Sequence, residues 1–125
     1  MRKLLWIGLA GAAGAIIRVV IGRIVSNDSG FPFSTLTVNI VGTFLLCFIV
    51  AGAVQKLVVH KELQDIVTSG FLGSFTTFSA VSMETVLLIQ KGQIIVAGLY
   101  IIFSVIGGIS VGMLGFRLGR KRVRT

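Results

Sequence analysis

Residues 70–79 read Gly70-Phe71-Leu72-Gly73-Ser74-Phe75-Thr76-Thr77-Phe78-Ser79, and they lie inside a run long and apolar enough to cross a membrane. That composition suits lipid poorly. Two glycines weaken a helix. Four hydroxyl side chains, and the backbone groups a weakened helix can free, would each cost on the order of several kcal/mol against hydrocarbon. Irregular, polar backbone survives at membrane depth only where protein buries it or where it lines a wet cavity. The segment therefore reads as a pore or ion-site element rather than a lipid anchor.

The rest of the chain agrees with a membrane setting. It has 125 residues, 54% hydrophobic and only 13% charged, with a mean hydropathy of +0.99. A soluble domain carries roughly 25% charge. One domain is the expectation at this length. The net charge of +8 would point to nucleic acid in a soluble protein. Here most cations flank apolar runs, where they anchor at anionic lipid headgroups and set topology, so no nucleic-acid partner is expected. Cys47 is alone in an apolar run, which excludes a disulfide framework and reads as small core filling. His60 has no His or Cys nearby to share a metal. Arg2-Lys3, an apolar run and Ala10-Gly11-Ala12 resemble a leader, but the apolar run continues to Val25, which predicts a retained first membrane helix.

Four apolar stretches are predicted to span: about 4–25, 35–59, 66–90 (interrupted near its middle) and 94–116, followed by a basic tail at 117–125. Each meets the roughly 20 residues that a spanning helix needs. The expected fold is an all-α integral membrane protein of four helices. Asn27, Asp28, Ser29, Gly30 and Pro32 make the first connection, and Lys91-Gly92 makes a tight last turn. An even number of spans puts both termini on one side. That side would hold Arg2, Lys3, Lys56, Lys61, Arg117, Arg120, Lys121, Arg122 and Arg124, against Arg23 and Lys91 on the other. The bias predicts cytoplasmic termini.

Several polar residues inside the spans need partners. Gly8, Gly11 and Gly14 precede Arg18 in the first helix. Small residues at such spacing allow close helix approach. Arg18 reads either as a side chain snorkelling to the interface or as a cation near an anion entrance. Thr35, Asn39 and Thr43 share one face of the second helix. The Asn39 carboxamide is either interhelical glue or a donor aimed at an anion. Tyr100, Ser104 and Gly108 make a similar track on the fourth helix, and Glu84 is the lone acid inside an apolar span. Glu84 reads as a proton-coupling group, a pore-mouth residue or a paired structural carboxylate. At the interruption, freed carbonyls can hold a small cation while the following N–H groups face an anion. Phe75 and Phe78 flank it. Ring edges carry positive charge, but plain packing is the simpler role.

These motifs resemble the small bacterial fluoride channels of the Fluc or CrcB type, over nearly the whole chain. The first helix resembles the family's glycine-rich run ending in Arg, here Gly8, Gly11, Gly14, Ala15 and Arg18. The second resembles its Thr-Leu-x-Val-Asn-x-x-Gly-x-Phe run, here Thr35, Leu36, Val38, Asn39, Gly42 and Phe44. The third resembles its Gly-x-x-Gly-x-x-Thr-Thr-Phe-Ser signature, and the fourth carries the family's Tyr and Ser four apart. The resemblance implies a passive channel in the bacterial inner membrane that lets cytoplasmic fluoride leave. It implies two subunits packed antiparallel, in the manner of a dual-topology protein, with two pores and a central sodium ion. The carbonyls of Gly73 and Thr76 correspond to the sodium ligands. Asn39 and Phe78 correspond to anion-path residues, and Tyr100 and Ser104 to a hydroxyl track. Thr35, Phe75, Thr77 and Ser79 are further candidates along the path. Glu84 corresponds to an acid of the vestibule and Arg18 to the first-helix arginine. Val81 stands where the family has a second Phe, and Ser74 where Gly is frequent. With the charge bias, Val81 keeps open a heterodimer with a paralogue beside a homodimer. A small proton-coupled multidrug exporter would need an acid in the first helix, which is absent. No nucleophile with a base and no phosphate loop points to an enzyme.

Overall fold

Twenty-odd apolar residues cannot leave their backbone groups unpaired in lipid, so they close their hydrogen bonds within helices. A computed structural model describes residues 1–25, 30–53 and 61–124, and its described residues contain helices and no strands. α1 is Arg2–Val25, α2 Phe33–Phe48, α3 Lys61–Asp65, α4 Gly73–Phe75, α5 Phe78–Gln90 and α6 Ile94–Arg124. Wider, π-helical turns continue α2 through Ile49–Ala53 and join α3 to α4 through Ile66–Leu72. Among the described residues four stretches are long and apolar enough to span: Arg2–Val25, Phe33–Gly52, Lys61–Gln90 and Ile94–Lys121. The chain is a multi-pass membrane protein in architecture.

The boundaries differ in places from the sequence reading. The expected end of the second span, at 59, and the whole of 54–60, including Lys56 and His60, lie outside the described residues, as does the turn at 26–29. The third span begins at Lys61 rather than 66. Residues 117–124 continue α6 instead of forming a separate tail. Arg and Lys are good helix formers, and Gly119 holds this end of α6 against the Phe48 carbonyl of α2. The last turn follows from chemistry at Gly92. Its φ of 77° lets Gly92 and Gln93 donate back to Ile89 and Leu88 and close the end of α5.

Packing relies on glycine contacts more than on large side chains. α6 lies mainly along α2, and α1 mainly against the Ile66–Leu72 turns. A Cβ on Gly115 would sit 2.6 Å from the Phe44 carbonyl oxygen, and one on Gly70 would sit 2.7 Å from that of Ile7. Gly14 abuts the Phe71 carbonyl. Gly8, by contrast, faces open space, so only part of the predicted first-helix glycine face makes the contact. Two small cores form between the helices. One is Val38, Leu72 and Phe75, and the other is Leu88, Ala97 and Tyr100. Outward residues such as Leu4, Ile16, Ile95 and Ile106 are exposed and apolar, as lipid contact requires.

Candidate functional site

The regular hydrogen-bond ladder of the third span stops at Thr76. Its N–H donates to the Leu72 carbonyl at 3.1 Å. Thr76 and Thr77 then turn extended, with ψ of 153° and 125°. The next N–H, that of Thr77, leaves the helix and donates to Asn39 Oδ1 at 2.8 Å, while Asn39 Nδ2 donates to the Thr77 carbonyl at 2.9 Å. One carboxamide thus satisfies both backbone groups of an extended residue. Thr77 Oγ1 accepts from the Ala80 N–H at 3.3 Å and starts α5 as its cap. It also lies 3.0 Å from Ser79 Oγ. Gly70 and Gly73 are helical. The helix is left at the two threonines, and Gly70 instead serves close approach to α1.

Beside this junction lies a cavity of about 640 Å³, lined by Asn39, Thr43, Gly73, Thr76, Thr77, Phe78, Val81, Ser82, Thr85, Ile101, Ser104 and Val105. Three helices meet there, each through residues three or four apart: 39 and 43 of α2, 78, 81, 82 and 85 of α5, and 101, 104 and 105 of α6. Ser82 and Thr85 donate to the carbonyls of Phe78 and Val81, the local bond that hydroxyls make inside helices. Ser104 Oγ differs. It is buried and has no hydrogen-bond partner among the described residues. Phe78, 83% exposed, projects its ring at the cavity's edge.

A second polar cluster lies one turn earlier on α2 and α6. Glu84 Oε1 accepts from Thr35 at 2.7 Å and Oε2 from Tyr100 at 2.6 Å. Tyr100 is fully buried, with the Phe31 ring edge-on to its own at 5.6 Å. Neither Glu84 nor its two partners lines the cavity. Of the residues singled out in the sequence, Asn39, Thr43, Gly73, Thr76, Thr77, Phe78, Val81 and Ser104 therefore gather at one site, and Thr35, Glu84 and Tyr100 at another. Phe75 belongs to the core, stacked on Phe71 and against Gly42. Ser79 is exposed beside Thr77, and Arg18 is half-buried on α1. Neither lines the cavity. Gly108 is also outside it. Sequence reading missed Ser82, Thr85, Ile101 and Val105. The spacing 78, 81, 82, 85 is a helical stripe and could have marked the first two. Among the described residues no three His, Cys, Asp or Glu side chains group to hold a metal.

The family profile described as CrcB-like protein, Camphor Resistance (CrcB), matches residues 5–116. The chain belongs to the CrcB/FluC family. A relative from Desulfitobacterium hafniense, the fluoride-specific ion channel FluC 1, is 39% identical over 108 residues, which is 86% of this chain and 95% of the relative. The fluoride-specific ion channel FluC of Oceanobacillus iheyensis is 40% identical over 118 residues, 94% of this chain and 92% of its own length. A Listeria innocua relative, fluoride-specific ion channel FluC 2, is 38% identical over 120 residues. The family is one of ion channels, not of enzymes, and the multidrug-exporter alternative falls with it.

Proposed function

We propose that the chain is a subunit of a fluoride-selective channel of the bacterial inner membrane, through which cytoplasmic fluoride leaves passively and its toxicity is limited. The observation that carries this reading is the cavity between the spans. It joins the hydroxyls of Thr43, Thr76, Thr77 and Ser104 to the Asn39 carboxamide, in a chain similar to proteins described as fluoride channels.

Fluoride is small and strongly hydrated, so removing its water is costly. A series of donors replaces that water in steps. Ser104 offers a hydroxyl not spent inside the protein. Asn39 spends one amide hydrogen on Thr77 and keeps a second. Phe78, Val81, Ile101 and Val105 supply the apolar part of the wall, and selectivity over chloride in this reading comes from a path too tight for the larger ion. Several weak sites allow exit as well as entry.

The working unit in this reading is an antiparallel dimer with two pathways and a sodium ion between the subunits. The exposure of Gly73, Phe78 and Ser79 on a single chain supports a partner over that face. The carbonyls of Gly73 and Thr76 fit the ion. The N–H groups that an unbroken helix would give them, those of Thr77 and Ala80, go to Asn39 and to Thr77 Oγ1. When bound, sodium supplies a fixed positive centre for carbonyls that hydrocarbon could not satisfy.

The test is efflux from liposomes holding only this purified chain, read with a fluoride electrode against a chloride control. Fast fluoride loss with chloride retained is expected. Equal loss of both ions overturns the reading. Val81 on the cavity wall favours a second reading, a subunit that needs a paralogue. There, a well-folded chain alone is silent and conducts after co-reconstitution.

A further inference from the structure

We infer that Asn39 is a positioning residue for the cation site: its carboxamide diverts the Thr77 N–H from the Gly73 carbonyl and so keeps that carbonyl available to an ion. This rests on the sodium reading above and assigns Asn39 a task besides contact with the anion.

The geometry is specific. In a continuous helix the Thr77 N–H would donate to the Gly73 carbonyl four residues back. It donates to Asn39 Oδ1 at 2.8 Å instead, and the same amide returns a bond to the Thr77 carbonyl at 2.9 Å. A carboxamide sets an acceptor beside a donor in this way. Thr77 is extended, with φ of −151°. Its two backbone groups would otherwise be orphaned at membrane depth or would return to the helix. Gly73 lines the cavity together with Thr76. Gly73 is exposed, and a Cβ there would meet only the Thr68 carbonyl, at 3.6 Å, so the residue borders open space. Thr76 repeats the arrangement more weakly, because the Ala80 N–H is taken up by Thr77 Oγ1 at 3.3 Å.

Two substitutions, one removing the whole amide and one only its donor, separate this role from others. Asn39→Ala removes acceptor and donor together, and the Thr77 N–H is free to close on Gly73. Asn39→Asp keeps an acceptor for Thr77 but loses the donor and adds negative charge. The experiment measures thermal melting of the purified protein in sodium chloride against N-methylglucamine chloride at constant ionic strength, with fluoride efflux alongside. In N39A the sodium concentration that gives half of the stabilisation should rise about tenfold or more, and flux should fall. In N39D the sodium response should persist while flux falls. An anion-donor role alone would lower flux in both and leave sodium untouched in both, which overturns the inference. Where N39A fails to assemble at any sodium level, N39D decides: loss of its sodium response overturns the inference. A wild-type protein indifferent to sodium overturns the central-ion reading, and this inference with it.

Discussion

At the scale of single residues, the polar groups of the spans divide by whether their hydrogen bonds are already used. Ser104 Oγ is free, buried without a hydrogen-bond partner among the described residues. Removing it costs the fold nothing in lost internal bonds, so Ser104→Ala should melt like the wild type. Its flux should drop about tenfold, the equivalent of about 1.4 kcal/mol in the barrier. Liposome efflux beside a melting curve checks both halves. Glu84 is the opposite case. Both its oxygens are taken, by Thr35 and by the fully buried Tyr100. Glu84→Ala leaves two hydroxyls without acceptors, at about 1–3 kcal/mol each. Tyr100→Phe removes one bond and leaves Glu84 with Thr35. The melting temperature should therefore fall further for E84A than for Y100F. Equal falls would mean that the Thr35 bond adds nothing to stability once the Tyr100 bond is lost. The sequence left this division open, with a paired structural carboxylate only one of three readings for Glu84. Spacing placed Thr35 and Asn39 on one face, but Glu84 lies 49 residues from Thr35, and Thr77 lies 38 from Asn39. Which residue meets which is decided by how the helices stack, and local pattern does not carry that.

At the scale of elements, the spans themselves were legible because lipid thickness fixes their length and backbone pairing fixes their type. The role of the glycines was not. In the sequence, Gly70 and Gly73 looked like the weak points of the third helix, yet they are helical and Thr76-Thr77 leave the helix. The reason is that extended backbone needs an outside partner, and Asn39 supplies it. The glycines serve contact instead. Gly115 is the sharpest case, since a side chain there meets the Phe44 backbone at 2.6 Å and backbone cannot rotate away. Gly115→Leu should force α2 and α6 apart, at about 1–3 kcal/mol or more. Because α2 and α6 both line the cavity, flux should be lost as well. Gly98→Ala is the matched control, as a Cβ there meets nothing within 4 Å. It should melt no lower than the wild type. A G115L protein that melts and conducts normally would show that the close contact is not needed.

At the scale of the whole molecule, the asymmetry of charge bears on assembly. An antiparallel homodimer needs half of the copies inserted each way round. The sequence places nine Lys and Arg residues toward the side of the termini and two toward the other, and such a bias favours one orientation. Charge thus works against the symmetric dimer that the cavity's exposed face invites. Lowering the bias tests which wins. Replacing Arg120, Lys121, Arg122 and Arg124 with Gln leaves five cations on the terminal side by the same count. These positions lie at the far end of α6, away from the residues that line the cavity. A cysteine added after the last residue, labelled from either side of intact cells, reports the fraction of inverted chains, which should rise. If two copies of this chain form the channel, fluoride efflux per chain should rise in step, because more subunits then find an inverted partner. If inversion rises while efflux stays flat, and a paralogue restores it, the partner of opposite orientation is a different chain.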